Sequence, residues 1–117
     1  QLITIGAHSH NHSSLSNISD KELLFEISYS KKILEKKLSS KIEHIAYPYG
    51  RKENISSKVI DAVSEVGYKY GYTTLCKKFN RNDQYYIPRH LINDSINLNK
   101  LKVKLSGYNA FWGIQSS

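Results

Sequence analysis

No methionine occurs among the 117 residues, so the chain does not read as a translation product that begins at its own start codon. It is expected to be processed or a fragment. The one cysteine, Cys76, rules out an internal disulfide and says nothing about compartment. No run of about 18 apolar residues occurs, and no basic start leads into an apolar core, so neither a membrane span nor a signal peptide is visible. Acids are also short, at 10 Asp+Glu against 17 Lys+Arg, a net charge of +7. That surplus suits anionic partners, but the lysines are spread over helix faces and no nucleic-acid motif is present, so no specific nucleic-acid partner is expected. Hydrophobic residues make up 39% with nine tyrosines among them, which is lean for a free-standing globule of one domain's length.

Neither a fixed-period repeat nor a low-complexity linker divides the chain. Residues 1–107 read as one unit, followed by a tail, 108–117, that carries Phe111 and Trp112. Gln1 to Gly6 read as a strand already in progress with no turn or cap before it, so further structure is expected on the N-terminal side.

The strongest local signal is Ser19-Asp20-Lys21-Glu22, which has the form of a capping box. Leu23, Leu24, Ile27, Leu34 and Leu38 follow at helical spacing, with lysines on the remaining positions, and predict a one-faced surface helix. Lys41 to Tyr47 reads as a second strand, ended by Pro48-Tyr49-Gly50. Ser56 or Ser57 caps a second helix with Val59, Ile60, Val63 and Val66 as its stripe and Gly67 at its end. Tyr68 to Leu75 reads as a third strand whose alternating Tyr68, Tyr70 and Tyr72 suggest core packing. Tyr85 to Ile92 is a short fourth strand. Asn97 caps a last helix with Leu98, Leu101, Val103 and Leu105, closed by Gly107. Strands and helices alternate over short connections, which argues for β/α units on a parallel sheet or barrel.

Two segments carry chemistry. His8-Ser9-His10-Asn11-His12 places three imidazoles at a strand end, where β/α folds hold their working groups. His8 and His12, four apart, meet one metal if the segment turns helically; a hydrogen-bonded polar loop or adventitious metal capture stand as alternatives. Ala46-Tyr47-Pro48-Tyr49-Gly50 lies at the next strand end. It reads as an aromatic-flanked turn, with Pro fixing one dihedral and Gly permitting the next, whose backbone N–H groups face the same rim.

Together these segments resemble the polysaccharide deacetylase family, the NodB-homology domain of carbohydrate esterases. Ile5-Gly6-Ala7-His8-Ser9-His10-Asn11-His12, with Leu15 and Leu24 in the expected apolar places, is similar to the family's metal motif. Ile45-Ala46-Tyr47-Pro48-Tyr49-Gly50 looks like its groove motif in the Tyr-Pro-Tyr-Gly form, and Val66 to Thr74 and Ile87-Pro88-Arg89 are similar to the segments that follow.

The resemblance implies an α/β fold, a partial distorted (β/α)7 barrel with its N-terminal strands missing. It implies hydrolysis of acetyl groups at a C–N bond in an acetylated amino-sugar polysaccharide, with a divalent metal, usually zinc, held by two histidines and one aspartate. His8 and His12 would be the histidine ligands and Ser9 would support the loop around them. The Tyr49 N–H would stabilise the oxyanion, and Tyr47 and Pro48 would wall the sugar groove. It also points to the cell envelope or another extracytoplasmic place of action.

The chain departs from the family pattern at several points. No Asp-Asp pair occurs, and Asp20, Asp61, Asp83 and Asp94 lie in helix or turn contexts. The catalytic base and third ligand are therefore expected to be absent, and the piece alone inactive. Ala46 stands where many members carry an arginine. The late Leu-x-His is missing; His90, the one late histidine, is a candidate for that acid, with an ordinary strand-end histidine as the favoured alternative. His44, in mid-strand, reads as structural, His10 as a neighbour of the ligand pair, and Cys76 is not a proposed nucleophile. A non-catalytic carbohydrate-binding remnant or inactive fragment is the alternative reading. Uncovered barrel edges are expected to promote association.

Overall fold

The computed structural model describes residues 2–107; the tail expected at 108–117 lies outside the described residues. Three helices and three strands follow one another as α1 (Asp20–Leu38), β1 (His44–Ala46), α2 (Ser57–Val66), β2 (Tyr70–Thr73), β3 (Ile87–Pro88) and α3 (Leu98–Leu105), with short 3-10 turns at Leu15–Asn17 and Lys52–Asn54.

Each helix begins where the sequence supplies a cap. The Glu22 backbone N–H donates to Ser19 Oγ at 3.3 Å and the Ser19 N–H donates to Glu22 Oε2 at 3.0 Å, closing the capping box of α1. Asn97 accepts from the Lys100 N–H at 2.9 Å and caps α3. Ser56 takes the N-cap position of α2 without a side-chain bond, and its buried hydroxyl has no partner among the described residues. Gly67, at φ 96°, ends α2 in the left-handed conformation.

The strands pair in parallel in the order β1-β2-β3. His44, Ile45 and Ala46 lie opposite Tyr70, Gly71 and Tyr72, and Tyr72 and Thr73 lie opposite Ile87 and Pro88. On the other side of β1, Ala7 makes a single parallel bridge to Ile45, with Ala7 N–H donating to His44 O at 2.8 Å and Ala46 N–H to Ala7 O at 2.9 Å. Successive side chains alternate between the two faces of such a sheet. Ala7, Ile45 and Tyr47 face α1 and α2, joining Leu15, Leu23, Ile27, Ile42, Ile55, Val59, Val63 and Tyr68 in one buried core. Helices over one face of sequentially ordered parallel strands form a section of β/α barrel wall, and the other face carries His44, Ala46, Tyr70 and Tyr72.

Four expectations change. The opening strand is reduced to the Ala7 bridge, and Leu2, Ile3 and Ile5 are exposed. Leu24 and Leu38 also lie on the wet side of α1, because the buried stripe runs through Leu23, Glu26, Ile27 and Ser30 instead. Of the three alternating tyrosines only Tyr68 is core. It precedes β2 and donates its hydroxyl to Ile27 O at 2.9 Å, whereas Tyr70 and Tyr72 lie on the opposite face, stacked against His44. Finally, the fourth strand expected at Tyr85 to Ile92 is reduced to Ile87–Pro88, and residues 74–86 join it to β2 without a helix, a connection just long enough to cross between parallel strands.

Candidate functional site

Residues 8–12 leave the Ala7 bridge in a tight turn rather than an extended run. Ser9 and His12 both adopt left-handed backbone, at φ 61° and 57°, and the His12 N–H donates to Ser9 Oγ at 3.0 Å. The turn brings the imidazoles of His8 and His12 to a centroid separation of 4.8 Å. His8 Nδ1 lies 2.7 Å from Ala46 O. A carbonyl oxygen only accepts, so the ring donates from Nδ1, and the neutral tautomer that does so carries its lone pair on Nε2, the position from which an imidazole can ligate a metal.

The loop is held from below by α1. Glu26, 4% exposed, accepts at Oε2 from the backbone N–H groups of His10 at 2.9 Å and Asn11 at 2.8 Å, and at Oε1 from Asn11 Nδ2 at 2.7 Å. Burial alone would raise the Glu26 pKa, but the donors of Asn11, His10 and Ser9 outweigh it and hold the carboxyl below its ordinary value. His10 turns its ring away from the pair and packs edge-on against Phe25 and Tyr29.

The second segment forms a turn tighter than proline and glycine alone require. The Gly50 N–H donates to Pro48 O at 2.7 Å around Tyr49 at φ 62°, a γ-turn centred on a residue with a side chain. Thr74 locks it, donating from Oγ1 to Tyr49 O and from its N–H to Gly50 O. Gly50 is required there, because φ is 65° and a Cβ would lie 2.8 Å from Thr74 N. The ring of Tyr49 is 56% exposed and meets His12 edge-on at 4.9 Å. Its N–H makes no hydrogen bond among the described residues.

The sugar-groove roles expected for Tyr47 and Pro48 do not survive this geometry. Both side chains are fully buried; Tyr47 faces the core and donates its hydroxyl to Tyr85 O at 2.9 Å. Burial pushes its pKa up, reinforced by Tyr86 and Tyr85. The aromatic surface of this motif belongs to Tyr49 alone.

His8 and Ala46 open onto a cleft of about 460 Å³ that His44, Tyr72 and Arg89 also line. His44 Nδ1 and the Tyr72 hydroxyl are 2.8 Å apart there. His90 is not brought to this cleft. It lies with Lys78, Phe79 and Pro88 on a separate pocket, because neighbours along an extended segment point to opposite sides, and the parity that puts Arg89 at the cleft turns His90 away. Sequence reasoning missed Glu26, Tyr72 and Arg89 and set His44 aside. Only Glu26 carried a readable signal, a charge inside the apolar stripe of an amphipathic helix.

His8 and His12 fit two positions of a hydrolytic metal site by donor type and by the approach of their rings. Among the described residues no third His, Cys, Asp or Glu joins them.

The chain matches the sequence model of the polysaccharide deacetylase family over residues 3–71. It is 33% identical over 85 residues to the poly-beta-1,6-N-acetyl-D-glucosamine N-deacetylases of Staphylococcus aureus strains MSSA476 and N315, a match covering 72% of this chain and 28% of theirs. The match thus spans less than a third of those relatives. Among solved structures, the Streptococcus pyogenes deacetylase PplD in complex with acetate superposes with a TM-score of 0.74 and 26% identity over 85% of this chain and 43% of that one. A polysaccharide deacetylase from Bacillus cereus gives 0.73 at 22% identity, covering 87% and 32%.

Proposed function

Since the chain belongs to the polysaccharide deacetylase family, we propose that it contributes the histidine half of a metal-dependent site that removes acetyl groups from an N-acetylated amino-sugar polysaccharide. The observation that carries this reading is the convergence of His8 and His12 beside Tyr49 on one rim of the sheet. The relatives named for deacetylation of a poly-N-acetylglucosamine support the substrate class.

In this reading His8 and His12 offer two neutral imidazole donors to a divalent cation, zinc by preference for nitrogen ligands. The cation, when bound, supplies Lewis-acid polarisation and an activated water. An Asp-Asp pair that could supply a third ligand and a base does not occur among the 117 residues. Water adds to the acetyl carbonyl, the C–N bond breaks, and acetate and a free amine leave. The Tyr49 N–H donates to the oxygen on which charge builds, while the exposed Tyr49 ring offers an apolar face to the sugar. Ser9 keeps the turn that aims His12. A polysaccharide substrate of this class supports action at the cell envelope or elsewhere outside the cytoplasm.

The test is acetate release from a poly-N-acetylglucosamine by the native full-length protein. Chelation abolishes release and added zinc restores it, and His8→Ala or His12→Ala lowers it more than about 100-fold, beyond the loss of a merely supporting partner. Release that survives chelation overturns the reading. The absence of a third donor among the described residues favours one rival, a non-catalytic glycan binder, which would retain the polymer and liberate no acetate.

A further inference from the structure

We propose that Glu26 is the positioning residue of the histidine loop: its carboxylate sets the backbone of His10 and Asn11 so that His8 and His12 converge on one cation. The inference rests on the reading of His8 and His12 as ligands and adds to it the group that determines how well they bind.

Three observations carry it. Glu26 lies in the middle of the buried face of α1, between Leu23 and Ile27, a place where a carboxylate is retained only if its lone pairs are satisfied. Its partners come from the segment between the two histidines: the N–H groups of His10 and Asn11 and the amide of Asn11, with the Ser9 hydroxyl beside them. The loop those bonds span is bracketed by Ser9 and His12, two non-glycine residues in left-handed backbone, a conformation that persists only where surrounding contacts impose it. The Ser9 hydroxyl holds one end of the loop; Glu26 is the anchor from α1 at its centre. Without an acceptor at this point the two N–H groups lose the partner that fixes them, the loop relaxes toward extended backbone, and residues four apart in extended backbone are too distant to share a ligand.

The charge need not be retained for the geometry to hold. In Glu26→Gln the side-chain oxygen can take the two backbone N–H groups, and Asn11 can turn its amide over to present Oδ1 to the new NH2. Glu26→Leu keeps the apolar volume and removes the acceptor altogether.

The experiment titrates Co(II) into the metal-stripped native full-length protein and follows its absorption, with amide proton shifts of His10 and Asn11 recorded before metal is added. Glu26→Leu is expected to weaken Co(II) binding about 10–100-fold, the range for partners that orient metal ligands, and to move the His10 and Asn11 amide protons upfield. Glu26→Gln stays within about threefold of the parent, a rescue that loss of packing does not explain. Val59→Ala, a core truncation in α2, matches or exceeds the loss of thermal stability in Glu26→Leu and leaves Co(II) affinity unchanged. Equal Co(II) affinity in parent and Glu26→Leu overturns the positioning role. Weakening by Val59→Ala as large as that by Glu26→Leu overturns it too, since the effect is then one of general stability. A parent protein that binds no Co(II) overturns the ligand reading itself, and the amide shifts then report separately whether Glu26 holds the loop.

Discussion

The Tyr47 hydroxyl lies over the bare Cα of Gly71: a Cβ built there would sit 2.2 Å from the phenolic oxygen, 2.7 Å from Cζ and 2.9 Å from Tyr85 O. That contact fixes the plane of the sheet under the Tyr47-Pro48-Tyr49 turn. Tyr47 cannot swing clear without leaving Tyr85 O unpaired in the interior, and Tyr85 O belongs to the backbone. Gly71→Ala is accordingly expected to cost about 3 kcal/mol, at the upper end for overpacking, read as a lowered denaturant midpoint with an unchanged slope. Adding Tyr47→Phe removes the nearest atom and recovers part of the loss. If the double substitution is less stable than the sum of its parts, the contact is not as drawn.

Gly71 also marks the limit of what the sequence conveyed. The capping box, the α2 stripe and the glycine end of α2 were legible because each is settled within one or two turns of chain. The faces of the aromatic residues were not. Alternation along Tyr68, Tyr70 and Tyr72 suggested a single core face, but β2 begins only at Tyr70, so Tyr68 reaches the core from the preceding turn while the others line the opposite side. The same holds for the site. Two histidines four apart pointed to a shared ligand, yet the turn that joins them depends on Glu26, sixteen residues from His10. Whether Arg89 or His90 faces the cleft depends on how β3 registers with β2, a long-range pairing that neither residue encodes.

Acid should unfold the chain in a specific way. The donors around Glu26 hold its folded pKa below the ordinary 4.5 despite burial, and the hydrogen bonds of Ser19 and of Lys31 do the same for the more exposed Glu22 and Glu35. A carboxyl with a depressed folded pKa contributes stability above its unfolded value, and that contribution disappears as pH falls through the folded one. Stability from denaturant titrations should therefore be level with respect to these groups above about pH 4.5 and decline below it. Glu26→Gln should flatten part of that decline. A mutant curve parallel to the parent from neutral pH downward would show that the Glu26 carboxyl titrates alike in the folded and the unfolded chain, with no depressed folded pKa.

Tyr49 offers a test whose sign runs against the usual order. At most positions glycine is less stable than alanine, because it gives up more backbone freedom on folding. Tyr49 holds φ 62° inside a γ-turn that Thr74 closes from just beyond the end of β2, a conformation that costs a residue with a Cβ about 1–2 kcal/mol. Tyr49→Gly should therefore be more stable than Tyr49→Ala by about 1 kcal/mol. Both substitutions remove the ring that meets His12 and keep the backbone N–H. On the proposed activity both should raise KM for the polymer, and Tyr49→Gly should keep more of kcat than a residue that bends the turn, such as Tyr49→Pro, which also deletes the donor. Alanine proving as stable as glycine at this position would mean that the turn does not hold its positive φ in solution, and the assignment of the Tyr49 N–H to the developing oxyanion would fall with it.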